Sequence, residues 1–205
     1  ECVEYPLASH QYLFGIVQGG FYEDLRKESL QRCLEYKLPG LALGGLAVGE
    51  PQDVLHHKLS TYLPMMPKEK PRYVMGIGYP EDLVEAVYHG CDMMDCVLPT
   101  RNARNGMAFT SFGSVSIKQE QFKKDEKPLD ESCGCKVCKN FSRSYLRHCF
   151  KAGEMIAAMA ITHHNLFYYA KVMRDLRAHI KAGTLSNFRQ SFFESRNMKI
   201  PGERE

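Results

Sequence analysis

No apolar run in this 205-residue chain approaches the roughly 18 residues that a membrane-spanning helix needs. The opening residues, Glu1-Cys2-Val3-Glu4-Tyr5-Pro6, lack both the basic start and the apolar core of a secretory signal. There is no low-complexity segment and no repeat beyond an alternation of strand-like and helix-like stretches. Charge of one sign is scarcely in excess. A net charge of +3 and a pI near 8.4 permit a nucleic-acid partner without arguing for one. A disulfide framework is also missing. Of the 8 cysteines, Cys133, Cys135 and Cys138 crowd into one metal-type cluster, and the others are scattered through apparent strands and helices. The expectation is a cytoplasmic protein with reduced thiols. Hydrophobic residues at 44% and charged residues at 25% are ordinary globular usage, enough for one domain or one domain plus a small module.

Leu13-Phe14-Gly15-Ile16-Val17 reads as a short buried strand, ending in Gln18-Gly19-Gly20. Residues 21–36 have helical spacing, with Leu25, Leu30, Cys33 and Leu34 on one face, until Pro39-Gly40 breaks it. Leu41-Ala42-Leu43 is a second strand, followed by the loop Gly44-Gly45-Leu46-Ala47-Val48-Gly49. A helix over 51–63 starts at Pro51. A third strand runs from Arg72 to Ile77, closed by Gly78. The helix from Pro80 to His89 opens with two acids that suit its N-terminal dipole. Residues 91–98 make a fourth strand. Such alternation predicts a parallel α/β sheet whose loops after the strands fall on one face, in a doubly wound sheet or a barrel. Beyond Gly106 the pattern changes. Residues 107–117 alternate and turn at Gly113, like a hairpin. Lys118 to Glu131 reads as an exposed connector, 141–150 and 153–183 as helices, and Met198 to Glu205 as a loose tail.

Three thiolates spaced Cys133-x-Cys135-x-x-Cys138 can wrap one soft cation, zinc being the usual one. A closed structural site needs a fourth ligand, and His163 and His164 are the candidates. In the fourth strand, alternation puts Asp95 on one face with Met93 and Val97, and Asp92 on the other with Met94 and Cys96. Asp95 falls near the strand's C-terminal end, where barrel enzymes keep their chemistry. A carboxylate there, with Arg101 and Arg104 just beyond, suits attack on a sugar carbon beside a bound phosphate backbone. An aspartate capping the next turn is the plainer alternative. Gly44-Gly45 is by itself no more than a tight strand-to-helix turn. Gln18 offers an amide that donates and accepts, suited to a purine edge, and Met75 could cover a base. Arginine forks such as Arg101 and Arg104 match phosphates, or pair with nearby acids. Phe141, Tyr145 and His148 share one helical face, which is either core or an interface.

Taken in order, Phe14-Gly15-Ile16-Val17-Gln18-Gly19-Gly20, Gly44-Gly45-Leu46-Ala47-Val48-Gly49-Glu50, Tyr73-Val74-Met75-Gly76-Ile77-Gly78, the Cys91–Gly106 stretch and the cysteine cluster resemble the tRNA-guanine transglycosylases. Those enzymes exchange a guanine base in tRNA for a deazaguanine. The resemblance covers nearly the whole chain at the family's spacings. It implies the C-terminal half of a (βα)8 TIM barrel with an inserted zinc-binding subdomain. The implied divisions are 1–106 for four βα units, 107–165 for the hairpin and Cys3His subdomain, and 166–205 for C-terminal helices packing on the barrel. It makes Asp95 the nucleophile, and Gln18, Gly45, Leu46, Ala47 and Met75 the lining of a guanine pocket, with Glu50 an acid nearby. Arg101 and Arg104 become RNA contacts. His164, the histidine before Asn165, becomes the fourth zinc ligand, and the Phe141 face a homodimer interface.

The implied activity is a pentosyl transfer in queuosine biosynthesis, replacing guanine at the anticodon wobble position through a covalent Asp–ribose intermediate. Val48 stands where the family's queuine-using members have glycine, which favours preQ1 as the incoming base. The family's general acid/base and guanine-reading aspartates belong to its N-terminal half, and no stretch here matches them. The chain is therefore expected to need that half as a partner and to be inactive by itself. A rival reading is a non-catalytic, zinc-containing RNA-binding or scaffold subunit. Gln18, Gly45 and Asp95 argue against it, since a scaffold needs none of them. An archaeosine-type enzyme, acting elsewhere on tRNA, is disfavoured because no RNA-binding extension follows residue 205.

Overall fold

A computed structural model of the chain describes Glu4 and residues 7–202. It forms two compact units, divided between Cys96 and Val97.

The first unit is a parallel sheet in the order β1-β2-β3-β4, with β1 at Phe14–Val17, β2 at Gly40–Leu43, β3 at Arg72–Val74 and β4 at Met93–Met94. Register runs from Phe14↔Gly40 to Val17↔Leu43, then Leu41↔Arg72 and Tyr73↔Met93. Helices α1 (Glu23–Glu35), α2 (Gln52–Tyr62) and α3 (Pro80–Tyr88) connect the strands. Every residue of β2 is buried, as expected of a strand flanked on both edges. Gln52 Nε2 and His56 Nε2 both reach Asp82 Oδ1 at 2.8 Å, tying α2 to α3 in the interior.

Two strands are shorter than predicted. β3 stops at Val74 because the chain turns at Gly76, whose φ of +76° lies in the left-handed region that glycine tolerates. β4 keeps two residues of the predicted eight, so Asp95 lies just past the strand rather than within it. The predicted face of α1 is also rotated. Leu25 is exposed and Arg26 is buried with Leu30, giving Arg26, Leu30 and Cys33 at i, i+4 and i+7.

In the second unit, Pro99 sits in the first turn of helix α4 (Leu98–Arg104), where a missing N–H is harmless. The hairpin is β5 (Met107–Thr110) with β6 (Gly113–Ser116). The connector after it is less exposed than its charge suggests. Phe122, Leu129 and Asp130 are buried, the last accepting bonds from Ser111 and Ser132. Helices α5 (Lys136–Asn140), α6 (Arg143–Lys151), α7 (Met155–Ala182) and α8 (Leu185–Glu194) follow. Phe141 lies between α5 and α6 rather than on a shared helical face, although its ring still stacks on Tyr145 at 5.2 Å. Residues 106/107 lie within this unit, between α4 and β5, and 165/166 lie inside the unbroken α7. Met198 to Gly202 adds no helix or strand, and the rest of the predicted tail lies outside the described residues.

Leu43 is fully buried in β2. Leu43→Ala should destabilise the protein by about 2–5 kcal/mol in denaturant unfolding, through lost burial and the cavity left behind.

Candidate active site and metal centre

Two glycine-rich loops leave the C-terminal ends of β1 and β2. Gly19 has φ +139°, Gly20 +57° and Gly45 +64°, conformations that side chains rarely adopt. A Cβ at Gly19 would meet Arg26 N at 2.6 Å, and one at Gly45 would meet Gln18 Oε1 at 2.9 Å. The loops therefore close on Arg26 and Gln18 only if those positions are bare. The Gln18 amide lies against Gly44 and Gly45, and its backbone N–H donates to Ser29 Oγ at 3.0 Å. Leu46 is buried and Ala47 exposed. Ala47 N–H and Val48 N–H donate to the Glu50 carboxylate at 2.6 and 2.9 Å.

Arg26 was not singled out by sequence reasoning. Its side chain is wholly buried and donates to three backbone carbonyls: Gly20 O at 2.7 Å, Gly44 O at 3.0 Å and Gly45 O at 3.0 Å. The guanidinium carbon lies 5.5 Å from the Tyr62 ring centroid. Burial lowers its pKa, while Tyr62 and Glu50 act the other way. The signal that could have found it is the spacing Arg26, Leu30, Cys33, which a reader normally fills with apolar residues.

Beyond β4, Asp95 is exposed, and its Oδ1 accepts from Tyr73 Oη at 2.6 Å and from the Gly76 N–H at 3.0 Å. The Tyr73 bond, then the Gly76 bond, hold the Asp95 carboxyl below its usual range, and the same contact raises Tyr73. Met75 lies between these two partners, its N–H on Leu43 O at 3.3 Å. Tyr73 was quoted in the sequence pattern without a role. Asp92 is engaged elsewhere, accepting from Arg72 N at 2.9 Å. A solvent-facing carboxylate kept ionised by two neutral donors is equipped to act as a nucleophile. Arg101 and Arg104 belong to the second unit, exposed along α4.

In that unit, Cys133, Cys135, Cys138 and His164 converge, their ligand atoms all within 4.8 Å of one another. His163, the alternative, is exposed. His164 Nδ1 is 3.6 Å from Cys133 Sγ, 3.6 Å from Cys135 Sγ and 3.3 Å from Cys138 Sγ. Around a tetrahedral ion about 2.3 Å from sulfur and about 2.1 Å from nitrogen, such ligands lie roughly 3.6 Å apart. The residues thus fit a metal ion. The ring's other nitrogen, Nε2, is held on Phe109 O at 2.9 Å, which turns Nδ1 toward the sulfurs. Asn165 continues the anchorage, accepting from Phe109 N and donating to Pro99 O and Met107 O.

Burial by itself would push the His164 imidazolium down, but the sulfurs outweigh it and hold it up at about 12. Cys135, which burial would raise, is brought down to about 6 by His164 and its other partners. A cation binding here displaces the protons these atoms share.

The family model described as queuine tRNA-ribosyltransferase matches residues 1–198. A queuine tRNA-ribosyltransferase of Neisseria gonorrhoeae (strain ATCC 700825 / FA 1090) is 52% identical over 184 residues, covering 90% of this chain and 50% of the relative. Proteins of the same name from Chromobacterium violaceum and Thermoanaerobacter sp. (strain X514) are each 50% identical, over 188 and 189 residues. Both cover 92% of this chain, and respectively 51% and 50% of the relative. The chain thus spans about half the length of the curated relatives it matches, and the matched half is the C-terminal one.

One metal ion per chain is expected by elemental analysis, and chelation should lower the melting temperature because binding energy here is folding energy. His164→Ala should lose the ion and His163→Ala keep it. The reverse result would refute the ligand set.

Proposed function

The chain belongs to the queuine tRNA-ribosyltransferase family, and from that premise we propose that it is the C-terminal half of a bacterial-type tRNA-guanine transglycosylase. In this reading residues 1–106 supply four βα units of a (βα)8 barrel. Residues 107–165 are the hairpin and an inserted zinc subdomain, and 166–205 are the C-terminal helices. The observation that carries the reading is Asp95, held ionised by Tyr73 and Gly76 just past the C-terminal end of a parallel sheet. That is the end at which parallel α/β enzymes place their chemistry.

Asp95 attacks C1′ of the target ribose and the C1′–N9 bond to guanine breaks, leaving a covalent Asp–ribose ester. The incoming base, preQ1, then attacks C1′ and releases Asp95. Gln18, Gly45, Leu46, Ala47 and Met75 hold the base. Glu50 fixes the turn that follows through the Ala47 and Val48 N–H groups, and the Val48 side chain disfavours bases bulkier than preQ1. Arg101 and Arg104 bind the tRNA backbone near the wobble position. The N-terminal half supplies the acid/base aspartate, so this half alone is inactive and is incorporated into a complete barrel. The metal is zinc, in a structural role, since three cysteines and one histidine leave no open position. Phe141, Tyr145 and His148 form a homodimer contact. A tRNA substrate, and free thiols among the described residues, support a cytoplasmic location.

With the complete barrel present, tRNA should become covalently trapped on the protein, visible as a shifted band on a denaturing gel. Asp95→Asn should abolish the band, and Asp92→Asn, tied instead to Arg72, should spare it. The opposite pattern would sink the assignment.

Trapping needs the Asp95 carboxylate, so it fades as pH falls through that group's depressed pKa. Tyr73→Phe removes the main cause of the depression, raising the pKa. The acid limb of the pH–rate profile should therefore move to higher pH. An unmoved limb would mean that Tyr73 does not tune the nucleophile.

A further inference from the structure

A buried cation normally faces a carboxylate. No ion pair to Arg26 is present among the described residues, and its charge is spent on the carbonyls of Gly20, Gly44 and Gly45. Among the described residues the peptide bonds are trans, and in a trans peptide the C=O and the following N–H point in opposite directions. With Gly44 O and Gly45 O drawn toward the guanidinium, the N–H groups of Gly45 and Leu46 are aimed away from it. Neither N–H has a hydrogen-bond partner among the described residues. The left-handed conformation of Gly45 sets the two N–H groups in succession, and the Gln18 amide lies against the same glycine. Successive backbone N–H groups left open in this way form a concave donor site for a carbonyl or an anion.

We propose that Arg26 is the positioning residue of the base pocket. By clamping three carbonyls it holds the loop after β1 to the loop after β2, and it presents the Gly45 and Leu46 N–H groups to an acceptor on the bound base. This rests on the base-exchange reading above. A planar base with an exocyclic oxygen, such as guanine, can accept from these donors, and 2-aminopurine, which lacks that oxygen, cannot. Lysine at this position would keep the charge but cannot hold three carbonyls in the plane of a guanidinium. The donors would then drift, and affinity for the base would fall while the RNA-binding surface stayed intact.

The test uses the complete enzyme, with labelled guanine exchanged into tRNA. Exchange by the unmodified enzyme comes first, and its absence would overturn the base-exchange reading rather than the role of Arg26. In Arg26→Lys, KM for guanine should rise by roughly 10- to 100-fold, the loss expected for hydrogen bonds that involve a charged partner. KM for tRNA should stay unchanged, and the preference for guanine over 2-aminopurine should shrink. Arg26→Gln, whose amide can hold one of the three carbonyls, should behave similarly. Folded variants with unaltered KM for guanine, or with both KM values raised equally, would overturn the proposal. The unmodified protein gives an independent measurement that survives misfolding of either variant. Amide signals of Gly45 and Leu46 should shift and gain exchange protection when guanine is added. Silence of both amides would also overturn it.

Discussion

The first unit depends on a guanidinium buried where apolar side chains usually go. Arg26 occupies the inward face of α1, and its N–H groups satisfy carbonyls on loops that would otherwise carry unpaired polar groups into the interior. The arrangement constrains its neighbours. Gly19 has to be glycine because the Arg26 backbone lies against it, and Gly45 because it is left-handed and pressed by Gln18. The cost of burying the charge is offset by hydrogen bonds from a charged donor and by the Tyr62 ring nearby. Two loops that could each adopt several turns are thereby held in one arrangement.

The second unit is organised by another set of polar anchors. His164 and Asn165 are consecutive on α7 and fully buried. One directs a ring nitrogen at three sulfurs while its other nitrogen rests on β5. The neighbouring amide reaches β5 and the first turn of α4. Cys133 and Cys135 share an apolar cluster with Ala103, Ile117, Leu146 and Ile161, so the metal ligands are also core residues. Arg101 and Arg104 project from the helix whose Ala103 is embedded in that cluster. The stability of the ligand cluster and the placement of α4 therefore rest on the same packing.

Much of this was legible in the residues. Four parallel strands and the helices between them followed from period and punctuation, since short apolar runs bounded by glycine and proline have few other solutions. The cysteine spacing identified the ligand cluster because thiolates two and three residues apart can face one ion. Strand ends were misjudged where apolar character outlasted pairing. The Cys91–Leu98 stretch is apolar apart from Asp92 and Asp95, yet only Met93 and Met94 pair with β3. The charged composition of 118–131 similarly hid Phe122 and Leu129, whose burial depends on partners distant in sequence.

The amino-acid sequence alone determined the alternation of elements, the glycine-only turns, an aspartate toward the end of the fourth strand's stretch and the soft-metal character of the cysteine cluster. Each of these is local, set by backbone freedom, side-chain period or ligand chemistry over a few residues. The tertiary structure decided that Arg26 rather than Leu25 faces inward, that Tyr73 and Gly76 hold Asp95, and that His164 rather than His163 meets the sulfurs. Those choices are made across 18 to 31 positions of sequence separation. There, competition among distant hydrogen-bond and packing partners fixes which neighbouring residue turns inward, and no short-range pattern records the outcome.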